Sequence, residues 1–177
     1  NLEHWPLMDQ FEVGGKCSCI AWNLSRFEPP TIAAGSKQGA FELWEYNEHT
    51  RRWQEAEFVA GSERQHDDAI HGISWAPNLG RSYHLLATAS KDQTVRIWQL
   101  VRQESGKWHS KELACFEEHK AEVWRVCWNI TGTILASSGD DGNVRLWKQQ
   151  FTKEWKQISS VKGEPDRRGE YRFVQHR

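Results

Sequence analysis

The feature that most constrains the fold is a set of tryptophans that return at a nearly fixed period. Eleven of the 177 residues are Trp. Three of them, Trp44, Trp98 and Trp147, close similar segments and lie 54 and 49 residues apart. A second set ends three short apolar runs at intervals of 53 residues, and consists of Trp22, Trp75 and Trp128. Self-similarity at such a period indicates a repeat protein whose units bury their faces against one another.

Each unit has the pattern of short β-strands. In the second unit, residues 73–75, 85–89 and 94–98 are rich in β-branched or aromatic side chains and are separated by turn-forming residues. Residues 108–116 predict a fourth strand. In the third unit Asp141-Gly142 favours a tight hairpin, since Gly adopts positive φ without strain. Four antiparallel strands in each repeat are typical of a β-propeller blade.

Two polar residues recur with the Trp pattern. A His stands nine residues before the first Trp, and an Asp six residues before the second, in the second and third units. In the first unit Val13 and Gln38 occupy these positions. Because buried His and Asp need hydrogen-bond partners, we predict a network in the two later blades, with packing alone in the first. The predicted members are His66, Asp92, Trp98, His119, Asp141 and Trp147.

This combination of His, Asp and Val-Arg-x-Trp resembles WD repeats, whose His, Asp and Trp join a Ser or Thr in a network inside each blade. The Asp that often follows the repeat Trp is replaced by Glu45, Gln99 and Lys148. Longer stretches resemble nucleoporins of the Sec-thirteen-homologue (Seh) type over residues 1–148. These stretches are CSCIAWN at 17–23, HGISWAPNLGRSYH at 71–84 and VWRVCWNITGTILASSGDDG at 123–142.

The resemblance implies an all-β WD-repeat β-propeller. Seh-type proteins are six-bladed and open between the first and last blades, so this chain would match the later half. We therefore expect three four-stranded antiparallel blades and one outer strand of a preceding blade, forming a partial, open propeller. The expected segments are the outer strand 1–13, blade A 14–60, blade B 61–116, blade C 117–161 and a disordered or loosely packed polar tail 162–177.

The same resemblance implies a scaffold subunit of the outer-ring (Y-shaped) complex of the nuclear pore, at the nuclear envelope. A partner nucleoporin would donate a blade that completes the propeller, and the assembly would support transport of mRNA and protein. The flank of residues 117–161 is the expected contact. The family also serves in a nutrient-sensing complex at the lysosomal surface, which is an alternative role and location.

Composition and motifs argue against other classes. With 23 Lys and Arg against 24 Asp and Glu, the chain has no basic excess for direct nucleic-acid binding. No apolar run is long enough for membrane insertion. No catalytic or cofactor motif is present, and Asp140-Asp141 is interpreted as a turn rather than an acid–base pair. The four cysteines, Cys17, Cys19, Cys115 and Cys127, are expected to be small buried hydrophobic residues rather than metal ligands.

Trp124 carries the remaining alternative. It lies outside the strict repeat, near the predicted top of blade C, and is a candidate for surface contact with a ligand. A WD-repeat module that reads charged peptides or chromatin is therefore a second hypothesis beside the scaffold.

Overall fold

The computed structural model describes residues 7, 9–63, 65–165 and 171–176, with the backbone alone for 164–165 and 171–176. Within these ranges the chain forms only strands, turns and irregular segments, and no helix. The strands are β1 (Cys17–Trp22), β2 (Thr31–Ser36), β3 (Phe41–Asn47), β4 (Arg52–Glu55), β5 (Ile70–Trp75), β6 (His84–Ser90), β7 (Val95–Arg102), β8 (Trp108–Phe116), β9 (Val123–Trp128), β10 (Ile134–Gly139), β11 (Asn143–Gln149), β12 (Trp155–Pro165) and β13 (Tyr171–His176).

The strands form three antiparallel sheets that follow the repeats. We call them blade A (β1–β4), blade B (β5–β8) and blade C (β9–β13), and each has its strands in chain order. The expected all-β, open propeller is confirmed. The tight hairpin predicted in blade C is present too, since Gly142 has φ 69° and its N–H donates to the carbonyl of Gly139.

The repeat Trp residues hold matching places in the three sheets. Each lies on the third strand, opposite an aliphatic residue of the second strand. The pairs are Ile32 with Trp44, Leu86 with Trp98, and Leu135 with Trp147. This common register makes residues of one blade comparable with those of another, position by position.

The hydrophobic core lies between the blades. Phe41 and Leu43 of blade A pack into one buried cluster with Ile70, Trp75 and Trp98 of blade B. The opposite face of blade B joins the next cluster. Its residues Leu85, Val95 and Ile97 pack with Val126 and Trp147 of blade C. Each sheet therefore needs a neighbour on both faces to bury its apolar side chains.

The segment between blades A and B also covers the outer edge of blade B. The N–H of Val59 donates to the carbonyl of Trp108 at 2.8 Å, and the N–H of Trp108 donates to the carbonyl of Glu57 at 2.8 Å. Farther along, the N–H of Glu63 donates to the carbonyl of Ser110 at 3.1 Å. Residues 57–63 thus shield the edge of β8, which would otherwise expose unpaired backbone groups.

The tail was expected to be disordered or loosely packed, and part of it forms a strand. β12 continues to Pro165, and β13 pairs with it from Ser160 opposite His176 to Pro165 opposite Tyr171. Blade C is therefore five-stranded rather than four-stranded. The alternation in Tyr-Arg-Phe-Val suits a strand.

The predicted outer strand 1–13 falls mostly outside the described residues, including Trp5. Its described part, residues 7 and 9–13, contains no strand. Phe11 nevertheless stacks on Trp44 with ring centroids 4.3 Å apart, as Phe116 of β8 stacks on Trp147 at 4.0 Å. Phe11 thus contacts the repeat Trp of blade A in the same way that Phe116, at the end of blade B's outer strand, contacts the repeat Trp of blade C. This likeness is compatible with the assignment of 1–13, which stays a prediction.

The cysteines do not follow the expectation of buried hydrophobic residues. Cys17, Cys115 and Cys127 are exposed, and only Cys19 packs against the cluster between blades A and B. A register irregularity separates Cys17 from Cys19, so strict alternation fails there. Burial raises the pKa of the Cys19 thiol to about 11, which keeps it protonated.

Candidate functional site

The predicted hydrogen-bond network is complete in blade B. Nδ1 of His66 donates to Oδ2 of Asp92 at 2.8 Å, which fixes the proton on that nitrogen. Nε2 of His66 accepts from the hydroxyl of Thr88 at 2.6 Å, and Nε1 of Trp98 donates to the same hydroxyl at 2.8 Å. His66, Thr88 and Trp98 are buried. The network joins the second and third strands and the turn between them to the segment that enters the blade.

Blade C repeats this arrangement. His119 lies 2.9 Å from Asp141 through Nδ1 and 2.8 Å from the hydroxyl of Ser137 through Nε2. Nε1 of Trp147 donates to that hydroxyl at 2.8 Å. Arg145 also donates to Asp141 at 3.0 Å. The structure therefore brings together all six residues selected from the sequence, and adds Thr88 and Ser137 as the central hydroxyls.

Both network carboxylates remain ionised at neutral pH. Burial by itself raises the pKa of Asp92, but hydrogen bonds from His66 and Thr94 more than offset it and hold the pKa well below its usual range. At Asp141, too, burial by itself raises the pKa of the carboxyl group. There, hydrogen bonds from Asn143, His119 and Arg145 lower the pKa on balance. These carboxylates act as acceptors that organise the blade.

Blade A lacks the network's His, Asp and hydroxyl and keeps only its Trp, which is Trp44. Ala34 occupies the place of Thr88 and Ser137, opposite Ile20 on β1. Gln38, in place of the Asp, is exposed. Nε1 of Trp44 is buried without a hydrogen-bond partner among the described residues. Blade A is held by apolar packing, and the N–H of Trp44 is a polar group left to be satisfied.

The face of blade A that points away from blade B is open. Ile20 and Trp22 are 60% and 49% exposed, whereas their equivalents Ile73 and Trp75 in blade B are 8% and 4% exposed. A groove of about 440 Å³ runs over this face. It is lined by Phe11, Glu12, Val13, Gly15, Cys17, Ile20, Ile32 and Ala34. We call this surface flank A.

The face of blade C that points away from blade B is open as well. Val144 and Leu146 are partly exposed there, whereas their equivalents Val95 and Ile97 in blade B are fully buried. Ala136 on β10 is also partly exposed. We call this surface, formed by Ile134, Ala136, Ser138, Val144 and Leu146, flank C. Both flanks of the described sheets thus present apolar faces of the kind that blade B buries.

Trp124 lies on β9 and is 45% exposed. Its ring stacks on His71 with centroids 4.1 Å apart, and its Nε1 donates to Asp140 at 2.7 Å. Nε2 of His71 is 3.4 Å from Glu122. The predicted surface Trp is therefore exposed, and two carboxylates accompany it.

Two contacts between blades A and B had no signal in the repeat pattern. Nε1 of Trp108 donates to Glu45 at 3.0 Å, and Arg102 pairs with the same carboxylate at 3.2 Å. In sequence, Trp108 follows its repeat Trp, Trp98, at nearly the same distance as Trp53 and Trp155 follow theirs. In the strand ladder, however, Trp108 lies two register positions farther from the repeat Trp than Trp53 and Trp155 do. It is fully buried at the junction of the two blades. Its strand register, and not its distance in sequence from the repeat Trp, therefore distinguishes Trp108 from Trp53 and Trp155.

The second contact joins a loop of blade A to the second strand of blade B. Nε1 of Trp75 donates to Nδ1 of His84 at 3.3 Å, and Nε2 of His84 lies 3.0 Å from Glu28. The neutral form with its proton on Nε2 satisfies both contacts. Burial lowers the pKa of His84, and the Glu28 carboxylate only partly opposes this. His84 therefore stays neutral at physiological pH.

Two segments of the chain match a known type of repeat. The model of the "WD domain, G-beta repeat" matches residues 59–99 and 110–148, which contain both hydrogen-bond networks. Blades B and C therefore resemble WD repeats. This WD-repeat chain is 44% identical to nucleoporin SEH1-B of Xenopus laevis over 178 aligned residues, and 44% identical to nucleoporin SEH1 of Homo sapiens over 177. It is 43% identical to nucleoporin SEH1 of Danio rerio over 180.

These alignments cover 92–93% of the WD-repeat chain but 48% of each relative. The chain thus spans about half the length of the curated relatives it matches. The resemblance to Seh-type nucleoporins is confirmed. Across the described ranges, no cluster of His, Cys, Asp and Glu has the arrangement of a metal site, and no helix is long and apolar enough to cross a membrane.

Proposed function

We propose that this WD-repeat chain is part of a non-enzymatic scaffold of the nuclear pore, bound to protein partners through its open sheet faces. The carrying observation is that Val144 and Leu146 are partly exposed on flank C while their equivalents in blade B are fully buried. Relatives named nucleoporin SEH1 support the assignment to the pore. The engagement of Asp141 with His119 and Arg145 supports a structural role for this carboxylate rather than acid–base catalysis.

The partner in this proposal is an outer-ring nucleoporin that donates a β-sheet blade. Flank C receives it, because its partly exposed Val144 and Leu146 correspond to residues that blade B buries against the next sheet. Apolar packing of one sheet on another supplies affinity, and the shape of the flank supplies specificity. Through this contact the chain would take its place at the nuclear envelope and support transport of mRNA and protein. The relatives' names lend no support to the lysosomal role.

The test is capture of partners from nuclear-envelope extract with the tagged chain, with Leu146→Asp as the flank variant and Phe151→Asp as its control. Phe151 is fully exposed in the turn between β11 and β12. We expect the native chain and Phe151→Asp to recover outer-ring nucleoporins, and Leu146→Asp to lose them while its thermal unfolding stays cooperative. Equal recovery by Leu146→Asp would contradict flank C as the contact, and capture of histones without nucleoporins would contradict the scaffold.

A second candidate function is a module that reads basic peptides, and the Trp124 surface favours it. The half-exposed ring offers a cation–π face, and Glu122 and Asp140 supply negative charge beside it. Fluorescence anisotropy with a labelled Arg- and Lys-rich peptide tests this function. Binding that is lost in Trp124→Ala and kept in Phe151→Asp would support it, whereas equal binding by both variants would leave only general charge attraction.

A further inference from the structure

Each blade presents an exposed apolar residue at the same end of its sheet. The loops between the first and second strands are residues 23–30 in blade A, 76–83 in blade B and 129–133 in blade C. Phe27, Leu79 and Ile130 lie in these loops, one in each blade, and are 99%, 65% and 89% exposed. Because removing apolar surface from water is favourable, three such side chains at one end of the sheets indicate a binding surface. We call the surface formed by the three loops the loop face.

The three loops of the loop face adjoin one another. Glu28 accepts a hydrogen bond at 3.0 Å from Nε2 of His84, the residue directly after the loop of blade B. The guanidinium of Arg81 donates to the carbonyl of Gly132 at 3.0 Å, which joins the loop of blade B to that of blade C. A Cβ on Gly132 would lie 2.5 Å from the carbonyl oxygen of Pro77, so these two loops are in direct contact. The apolar residues of the three blades therefore belong to one continuous surface.

An asparagine side chain fixes the backbone of each loop. The contacts run from Oδ1 of Asn23 to the N–H of Ser25 at 3.0 Å, from Oδ1 of Asn78 to the N–H of Arg81 at 3.0 Å, and from Oδ1 of Asn129 to the N–H of Thr133 at 2.8 Å. The backbone that carries the exposed side chains is thus already held in place. This lowers the conformational entropy that binding would remove.

The charges of the loop face suit an anionic partner. Its charged residues are Arg26, Glu28 and Arg81. Glu28 is engaged by Nδ2 of Asn23 at 2.7 Å and by His84. Arg26 is exposed, and the guanidinium of Arg81 donates to two backbone carbonyl groups. The loop face therefore has two cations that form no ion pair with a carboxylate of the described residues.

The outer hairpins at the same end of the sheets do not cancel this positive charge. They connect the third and fourth strands and are residues 48–51, 103–107 and 150–154. Their acidic residues are Glu48, Glu104 and Glu154, and their basic residues are Arg51, Lys107 and Lys153. The hairpins are therefore balanced in charge, and the excess of the loop face remains.

We propose that the loop face binds the surface of an anionic phospholipid membrane. Apolar side chains enter the headgroup region of a bilayer while neighbouring Arg residues attract anionic lipids, so their combination on one surface fits this partner. The loop face offers protruding tips rather than a groove for a peptide. Three cavities of about 440–500 Å³ in the described part of the chain are lined by none of Phe27, Leu79 and Ile130. The chain rests on the membrane through these tips and does not cross it.

This surface goes beyond the proposed scaffold function and is independent of it. Flank C is a sheet face formed by side chains of β10 and β11, whereas the loop face lies at the ends of strands. A change on the loop face should remove membrane binding and leave the capture of nucleoporins intact. Leu146→Asp should do the reverse. The failure of either proposal is therefore visible without the other.

Flotation of the full chain with vesicles tests the proposal. One set of vesicles consists of phosphatidylcholine with about one third phosphatidylserine, and the other of phosphatidylcholine alone. We expect the chain to float with the anionic vesicles, to float much less with the neutral ones, and to bind more weakly as salt screens the arginines. Equal flotation with both sets would overturn the preference for anionic lipid. No flotation at millimolar lipid would overturn the contact itself.

Ile130→Asp and Ile158→Asp form a matched pair, because the same change is made on the loop face and on β12, where Ile158 is 45% exposed. Ile130→Asp and Phe27→Asp should each lower the partition coefficient for anionic vesicles at least about tenfold, since each removes an apolar tip and adds a negative charge. Ile158→Asp should leave it unchanged. Because Phe27 and Ile130 are almost fully exposed, their replacement spares the fold, which cooperative thermal unfolding checks.

Equal partition of Ile130→Asp and Ile158→Asp would overturn the proposal, because it would leave only general charge attraction. A second contrary outcome is a native chain that ignores vesicles but captures a protein that Ile130→Asp and Phe27→Asp both lose. The loop face would then serve a protein rather than a lipid surface.

Discussion

Nδ1 of His66 donates a hydrogen bond to the carboxylate of Asp92 across 2.8 Å, although 26 residues of chain separate them. The contact ties the segment that enters blade B to the turn between its second and third strands. His119 and Asp141 do the same in blade C at 2.9 Å. Blade A has no such tie, and this difference within one chain allows the network's contribution to be measured against an internal reference.

Replacement of the network carboxylate should destabilise the protein. Asp141→Ala leaves His119 and Arg145 without their acceptor, so we expect the free energy of unfolding to fall by roughly 1–3 kcal/mol. Gln38→Ala, at the equivalent and exposed position of blade A, should cost much less. Urea unfolding monitored by Trp fluorescence measures both. Equal losses would show that the two positions are not equivalent.

The central hydroxyl gives a reciprocal pair of variants. Ser137→Ala removes the partner of both His119 and Trp147, and should cost roughly 1–3 kcal/mol for each group left unpaired. Ala34→Ser should stabilise blade A by about 1 kcal/mol, because it places a hydroxyl at the position that meets the repeat Trp in the other blades and offers the buried N–H of Trp44 an acceptor. Chemical unfolding of both proteins tests the pair. A destabilised Ala34→Ser would show that Nε1 of Trp44 does not face residue 34.

Stability should fall in mild acid because of His84. Its pKa is lowered in the folded chain by burial, so below about 6.5 the unfolded chain takes up a proton that the folded chain resists. This contribution is complete above that pH and is lost as the pH falls through the folded pKa. In His84→Gln, which can keep both hydrogen bonds, the decline between pH 7 and pH 5 should be shallower. Parallel pH profiles for the two proteins would rule out His84 as its source.

The carboxylates of the networks act in a more acidic range. The pKa of Asp92 and that of Asp141 are lowered by folding, so their contribution is complete above the ordinary Asp value of about 4. It is lost as the pH falls further, through the folded values. We expect a second decline in unfolding free energy below pH 4. Asp92→Asn should reduce this decline without altering the one between pH 7 and pH 5.

Gly39 sets the junction of blades A and B. It has φ 88°, and a Cβ there would lie 2.5 Å from the carbonyl oxygen of His66. Gly39→Ala should therefore cost more than Gly106→Ala, where φ is 82° but the space is open. The second change carries only the conformational penalty of about 1 kcal/mol. Thermal unfolding of the two variants measures both losses of stability. Similar losses would mean that the segment carrying His66 shifts to make room for the Cβ at position 39 without destabilising the protein.

Residue spacing, together with the resemblance to WD repeats, was enough to predict much of the fold and the polar network. A His and an Asp at fixed distances from two Trp residues carry information, because a buried charge in a sheet has few ways to be satisfied. Thr88 and Ser137 were harder to select, since hydroxyl residues are frequent in these strands. Sequence spacing does not distinguish Trp108 from Trp155, because the paired strands β7 and β8 extend two register positions farther beyond the repeat Trp than β11 and β12 do. Glu28 and His84 lie in different repeats, and no local pattern predicts a contact between them.

The backbone pairing of residues 57–63 with β8 has a consequence for how the protein is made. The segment that leaves blade A is fastened by a strand that the ribosome delivers about fifty residues later. A nascent chain that ends before residue 108 would hold blade A and three of the four strands of blade B, but not the strand to which the segment between the two blades is bonded. The connection between the blades is therefore completed only by the last strand of blade B.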